Sequence, residues 1–145
     1  MRAKGASRVG RFAVEFEVAN HIDIINAQQG SLEPDKVRRL TLSGVVDSGA
    51  TRLVLPAKVV KQLGLPARGK LKVRYANNHT ATRDAAEEVH VQLLGRHGVF
   101  TAVVEPKRRT ALIGAIVLED LDFVVDCTAQ QLVPRDPRYV VSELE

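Results

Sequence analysis

A chain of 145 residues that is 45% apolar and 26% charged fits one compact, soluble globular domain with a sizeable core. Its single cysteine, Cys127, excludes an internal disulfide and points to a reducing, cytoplasmic setting, and no apolar run approaches the ~18 residues of a membrane-spanning helix. The formal charge of +4 is scattered along the chain and reads first as solubility; with 4% aromatic residues and no Trp, the core falls to Val, Leu, Ile and Ala, which favours strands.

Met1 to Arg11 is basic, holds Gly and Ser, and is followed by no apolar stretch. It is expected to be a flexible N-terminus rather than a secretory signal, leaving 12–145 as the single domain. Phe12-Ala13-Val14-Glu15-Phe16-Glu17-Val18 alternates as a half-buried strand, with the four apolar residues Phe12, Val14, Phe16 and Val18 inward. Asn20 to Lys36 is irregular, with a short apolar piece (Ile22 to Ile25) and a Gly30-Ser31 turn, and is expected to be a loop. Val37 to Val46 reads as a second strand running into Asp47. A short helix follows, opened by Pro56 and closed by Gly64 in the left-handed position, with Val60 and Leu65 set for a Schellman contact and Pro66 preventing resumption.

Leu71 to Tyr75 alternates again, and Asn77-Asn78 is a turn signal because Asn tolerates φ > 0, so a hairpin tipped at Ala76 to His79 is expected. Val89 to Leu93 is another alternating strand. Gly95 to Gly98 reads as a turn and Val99 to Val104 as the return. Leu112-Ile113 precedes Gly114, Ile116 to Leu121 makes one or two helical turns, and Phe123 to Asp126 and Gln131 to Val133 are the last short strands. Short strands with two small helices predict a mainly β, closed β-barrel.

One motif carries chemistry. In Val45-Val46-Asp47-Ser48-Gly49-Ala50-Thr51 an apolar strand delivers a carboxylate into a Ser-Gly turn. Burying an ionised carboxylate is costly unless hydrogen bonds or a shared proton compensate, and Gly49 lets the backbone fold back so that N–H groups can donate to it. Two such carboxylates side by side hold one proton between them. One then acts as base toward an attacking water while its protonated partner acts as acid toward the carbonyl oxygen.

Three features together resemble the retropepsin-like aspartic proteases, particularly the small bacterial proteins of that type. They are the Asp47 loop, the helix ending in Gln62-Leu63-Gly64-Leu65, and the downstream step Leu112-Ile113-Gly114 with its helix Ala115 to Leu121. The resemblance spans roughly Phe12 to Val133. It implies a closed barrel, a homodimer joining two copies of Asp47 at a two-fold axis, and an extended peptide or protein as substrate, with no cofactor and no metal. It also implies that Ser48 bonds across the axis, that Gly49, Ala50 and Thr51 support the loop, that Leu112, Ile113 and Gly114 pack beside it, and that Ala76, Asn77, Asn78 and His79 form a flap over the substrate. The Asn-Asn tip departs from the Gly-containing flaps of the family.

Other candidates read as structural. His21, His79, His90 and His97 lack ligand spacing and read as surface histidines, and Cys127 has no His to activate it. The acidic groups Glu87-Glu88 and Glu119-Asp120-Asp122 read as helix or turn surface. Arg68, Lys70, Lys72 and Arg74, with Lys107-Arg108-Arg109, read as solvated faces rather than a nucleic-acid surface, since stacking aromatics are nearly missing. The rival class is a catalytically silent dimer of the same fold that binds peptides or acts as a scaffold.

Overall fold

The computed structural model describes residues 11–145, so the expected flexible N-terminus lies outside the described residues except for Arg11, which opens the first strand. Nine strands are present: β1 (Arg11–Asn20), β2 (Arg39–Asp47), β3 (Leu53–Pro56), β4 (Ala67–Arg74), β5 (Thr80–Leu93), β6 (Arg96–Glu105), β7 (Ala111–Ile113), β8 (Phe123–Asp126) and β9 (Gln131–Pro134). Among the described residues three α-helices join them, α1 (His21–Gln28), α2 (Ala57–Leu63) and α3 (Ala115–Asp120), with a single 3-10 turn at Pro34–Lys36. The main sheet runs β1-β2-β7-β3-β6-β5-β4, and a further pairing of β1 with β5 closes it into a barrel, with β4 left outside the ring. The expected closed β-barrel is therefore present. No helix among the described residues is long and apolar enough to cross a membrane.

Alternation explains the wall. Phe16 and Val18 on β1, Val46 on β2, Val89, Val91 and Leu93 on β5 and Ile113 on β7 are buried in one core, and Glu15, Glu17, Val45, His90 and Gln92 between or beside them are less buried on the other face. β5 is a single strand rather than two. Its register with β6 shifts between Ala86 and Val89, where Glu88 takes φ 63°, so one end pairs with β4 in a projecting hairpin and the other closes the barrel. The turn into β6 is the two-residue pair Leu94-Gly95, both at positive φ (49° and 83°), rather than Gly95 to Gly98.

Between β1 and β2 the structure holds α1 where a loop was expected, and the cause is a buried polar network. Asn20 caps the helix by accepting from the Asp23 N–H (3.1 Å), and its amide donates to the carbonyls of Leu63 (2.9 Å) and Gly64 (3.3 Å) at the end of α2. Asp23 in turn accepts from the Arg38 guanidinium through both oxygens (2.8 and 3.0 Å) and from the Arg38 N–H (3.0 Å), and the Arg38 hydrogen bond holds its carboxyl below the usual carboxylate range. Asn20→Ala leaves two carbonyls and one N–H without this partner. It is expected to cost about 1–3 kcal/mol, read as a lowered denaturation midpoint; an unchanged midpoint contradicts the role.

The expected α2 ending is present: Gly64 is left-handed (φ 61°), with its N–H bonded to Lys61 O (3.1 Å) and Leu65 N–H to Val60 O (3.2 Å). Pro56 precedes the helix as its cap rather than opening it, because Leu53–Pro56 forms β3. Beyond α3, Asp122 corrects its surface reading. It is buried, accepts from Arg135 Nε (2.7 Å) and Val141 N–H (2.9 Å), and ties the C-terminal segment to the separate β8–β9 hairpin.

Candidate active site

Asp47 is the last residue of β2, flanked by β1 and by β7, which runs parallel beside it (Val46 opposite Ile113). Its side chain is partly exposed (22%), so the carboxylate opens toward solvent from an otherwise apolar strand end. The turn after it is closed by Ala50 N–H donating to Asp47 O (3.1 Å), and Gly49 N–H donates to Asp47 Oδ1 (3.0 Å). A Cβ on Gly49 would stand 3.2 Å from that same Oδ1, so the glycine serves close approach. Ser48 is exposed beside it.

The loop is braced from below by the downstream step. Ala115 N–H donates to Ala50 O (2.7 Å) and Ile116 N–H to Thr51 O (3.0 Å), so two N–H groups that α3 cannot satisfy internally are bonded to the loop that follows Asp47. Gly114 makes the approach possible, with the Arg52 backbone against its Cα. Leu112 and Ile113 are buried on β7 beneath the loop. Thus the residues from 47 to 51 and from 112 to 114 are brought together.

Ala76, Asn77, Asn78 and His79 form the hairpin tip. Asn78 N–H donates to Tyr75 O (2.8 Å), Tyr75 N–H to His79 O (2.8 Å) and His79 N–H to Asn77 Oδ1 (3.0 Å), while Asn78 takes φ 71°. The two asparagines divide the work that a glycine turn would need, one capping the turn and the other accepting the left-handed conformation.

Several site residues were not foreseen. Arg11 lies directly opposite Asp47 in the β1–β2 register and places its Nε 3.4 Å from Asp47 Oδ2. Only the strand register reveals it. Glu105, at the end of β6, accepts from Tyr75 OH (2.5 Å) and Arg83 Nε (2.7 Å), tying the outer half of the hairpin, beside its tip, to the barrel; the hydrogen bond to Glu105 pushes the Tyr75 hydroxyl pKa up. Alternation on β4 and β5 puts Tyr75 and Arg83 on one face, which was the available signal.

Two of the histidines, His21 and His90, depart from their surface reading, while His79 and His97 are exposed as expected. Barrel closure brings His21, His90 and His97 together outside β1, β5 and β6, with ring centroids 6.2 Å apart (His21 to His90) and 5.3 Å apart (His90 to His97). His21 Nδ1 and His90 Nδ1 are buried without a hydrogen-bond partner. Among the described residues no three His, Cys, Asp or Glu side chains are arranged to hold a metal ion. Burial holds the His90 imidazole below its ordinary value, with the neighbouring His97 and His21 acting the same way, Glu17 opposing and Arg39 reinforcing. The neutral form is therefore favoured in the fold, and its contribution is present above the unfolded value of about 6.5 and lost as pH falls through the lowered folded value. The melting temperature should fall more steeply on acidification below about pH 6.5 in the unsubstituted protein than in His90→Gln; parallel slopes contradict this.

Residues 36–120, more than half of the chain, match the model of the family described as "gag-polyprotein putative aspartyl protease". No curated protein matches the chain. Solved structures that match include an EIAV protease complexed with the inhibitor HBY-793, at 19% identity, covering 56% of this chain and 77% of that one with a TM-score of 0.48. The solution structure of simian foamy virus (mac) protease matches at 14% identity, covering 74% of this chain and 91% of that one with a TM-score of 0.47.

Proposed function

Because the chain belongs to the gag-polyprotein aspartyl protease family, we propose that it is a homodimeric aspartic endopeptidase in which each copy contributes one Asp47. The observation that carries this reading is the Asp47 loop, a carboxylate at the end of an apolar strand held by the Gly49 N–H and braced by the amides of Ala115 and Ile116. One protomer supplies one such loop, so the second carboxylate comes from a second copy across a two-fold axis.

The pair holds one proton. A water lying between the carboxylates loses a proton to the ionised one as its oxygen bonds to the scissile carbonyl carbon. The protonated partner gives its proton to the carbonyl oxygen. In the resulting gem-diol the first carboxyl gives its proton to the amide nitrogen while the second carboxylate takes one back from a gem-diol hydroxyl, the C–N bond breaks, and a carboxylic acid and an amine leave. The hairpin from β4 to β5 closes over the extended peptide, and Ser48 bonds across the axis.

Digestion of a peptide library at acidic and neutral pH, with and without a transition-state-type aspartic protease inhibitor, tests the reading together with sedimentation. Inhibitor-sensitive cleavage by a dimer is the expected result. A second reading, a silent peptide-binding dimer, draws on the Arg11 contact: a cation 3.4 Å from Asp47 Oδ2 already balances the carboxylate within one protomer. Inhibitor-insensitive or absent cleavage by a well-formed dimer would favour it.

A further inference from the structure

We propose that the loop joining β6 to β7, with Lys107, Arg108 and Arg109, makes the cleft select acidic peptides, with Asp or Glu near the third residue on either side of the scissile bond. This deepens, and rests on, the peptidase reading.

The loop is placed beside the cleft from both ends. Glu105 before it holds Tyr75 and Arg83 in the outer half of the projecting hairpin, Tyr75 directly beside its tip. Ala111 after it pairs with Gly44 on the strand that delivers Asp47. The loop therefore bridges the hairpin and the strand of the catalytic carboxylate. Arg108 closes the turn, its N–H donating to Glu105 O (3.4 Å) and its Nε to Thr110 O (2.7 Å), while Lys107 and Arg109 are exposed.

The charges here are uncompensated. Among the described residues no carboxylate pairs with Lys107, Arg108 or Arg109, or with Arg52 beyond the Asp47 loop; Lys58 and Lys61 on α2 and Lys72 and Arg74 on β4 are likewise unpaired, so it is position rather than lack of partners that sets the loop's cations apart. Unpaired cations on a cleft wall attract an anionic ligand and repel a cationic one. Gly44 precedes Asp47 by three positions. At about 3.3 Å per residue that separation is on the order of 10 Å, which an extended peptide spans with about three residues. A two-fold axis repeats the loop on the other side. A peptide fits better than a nucleic acid because the chain has 4% aromatic residues and no Trp to stack bases.

The test separates binding from cleavage. Asp47→Asn protein is titrated by fluorescence anisotropy with labelled peptides of equal length that are Asp/Glu-rich, neutral or Lys-rich, and with a single-stranded oligonucleotide. The acidic peptide is expected to bind about tenfold tighter than the neutral one at low salt, with the gap closing at high salt. Adding Lys107→Glu and Arg109→Glu removes the gap; the same charge change on α2, Lys58→Glu with Lys61→Glu, keeps it. Equal binding of all three peptides, a gap that survives the loop substitutions, or tighter binding of the oligonucleotide than of the acidic peptide overturns the proposal. Cleavage of the same peptides by the unsubstituted protein is the separate arm. Acid-selective binding without cleavage would count against the peptidase reading alone, and cleavage indifferent to peptide charge would count against the loop alone.

Discussion

Asp47→Asn is expected to lower peptide cleavage by on the order of 10⁴-fold while leaving fold and pairing in place, because it removes both proton-transfer roles from the proposed dyad. The amide is nearly the same shape as the carboxylate, and its oxygen still accepts from the Gly49 N–H as Oδ1 does at 3.0 Å. What it cannot do is hold or release a proton near neutral pH. The lost attraction to Arg11 concerns a part-exposed pair (46% and 22%) and is worth ~0–1 kcal/mol, so the melting temperature should barely move. Cleavage, sedimentation and melting measured on one preparation decide the matter. Undiminished cleavage by the pure variant sinks the assignment of Asp47.

Gly114→Ala is the second large effect, and it acts through space rather than chemistry. The backbone at Gly114 is extended, with φ −92° and ψ −177°, so conformational freedom is not the issue. A Cβ there would stand 2.5 Å from Arg52 O, 2.8 Å from Ala50 O and 2.8 Å from Arg52 N. All three are backbone atoms, which cannot rotate aside, and two flank the loop that Asp47 heads. Either β7 or the loop must move, breaking the bonds from Ala115 and Ile116 to Ala50 and Thr51. Overpacking of this kind costs about 2–3 kcal/mol, which lowers the melting temperature by roughly 5–10 °C in a domain of this size. Cleavage should fall with it because the carboxylates lose their alignment. Gly114→Ala protein that melts and cleaves like the unsubstituted chain would show that the step does not brace the loop.

Much of this was legible where local physics decides. Phe12 to Val18 alternates because β1 has one face in the core, and Gly64 ends α2 because the left-handed position suits it. The Asp47 loop, the hairpin tip and the glycine step each announce themselves through short-range chemistry. The barrel and its closure were within reach, but registers were not. β3 escaped because Leu53, Leu55 and Pro56 are buried and Val54 half-buried, leaving no clear alternation. α1 escaped because its stability comes from Asn20 reaching Leu63 and Asp23 reaching Arg38, contacts across 43 and 15 residues. Arg11 beside Asp47, Glu105 under Tyr75 and the histidine trio were hidden for the same reason. Each depends on how distant elements are brought together in the closed barrel, and a single sequence does not state which residues face each other.

The central claim is that the chemistry belongs to two chains, one Asp47 from each. It is tested most directly by mixing unsubstituted protein with increasing amounts of Asp47→Asn protein under conditions where protomers exchange. If each active unit needs Asp47 from both copies, activity per unsubstituted chain falls in proportion to the unsubstituted fraction, since every mixed dimer is dead. Activity per unsubstituted chain that stays constant across the mixing series would contradict the account.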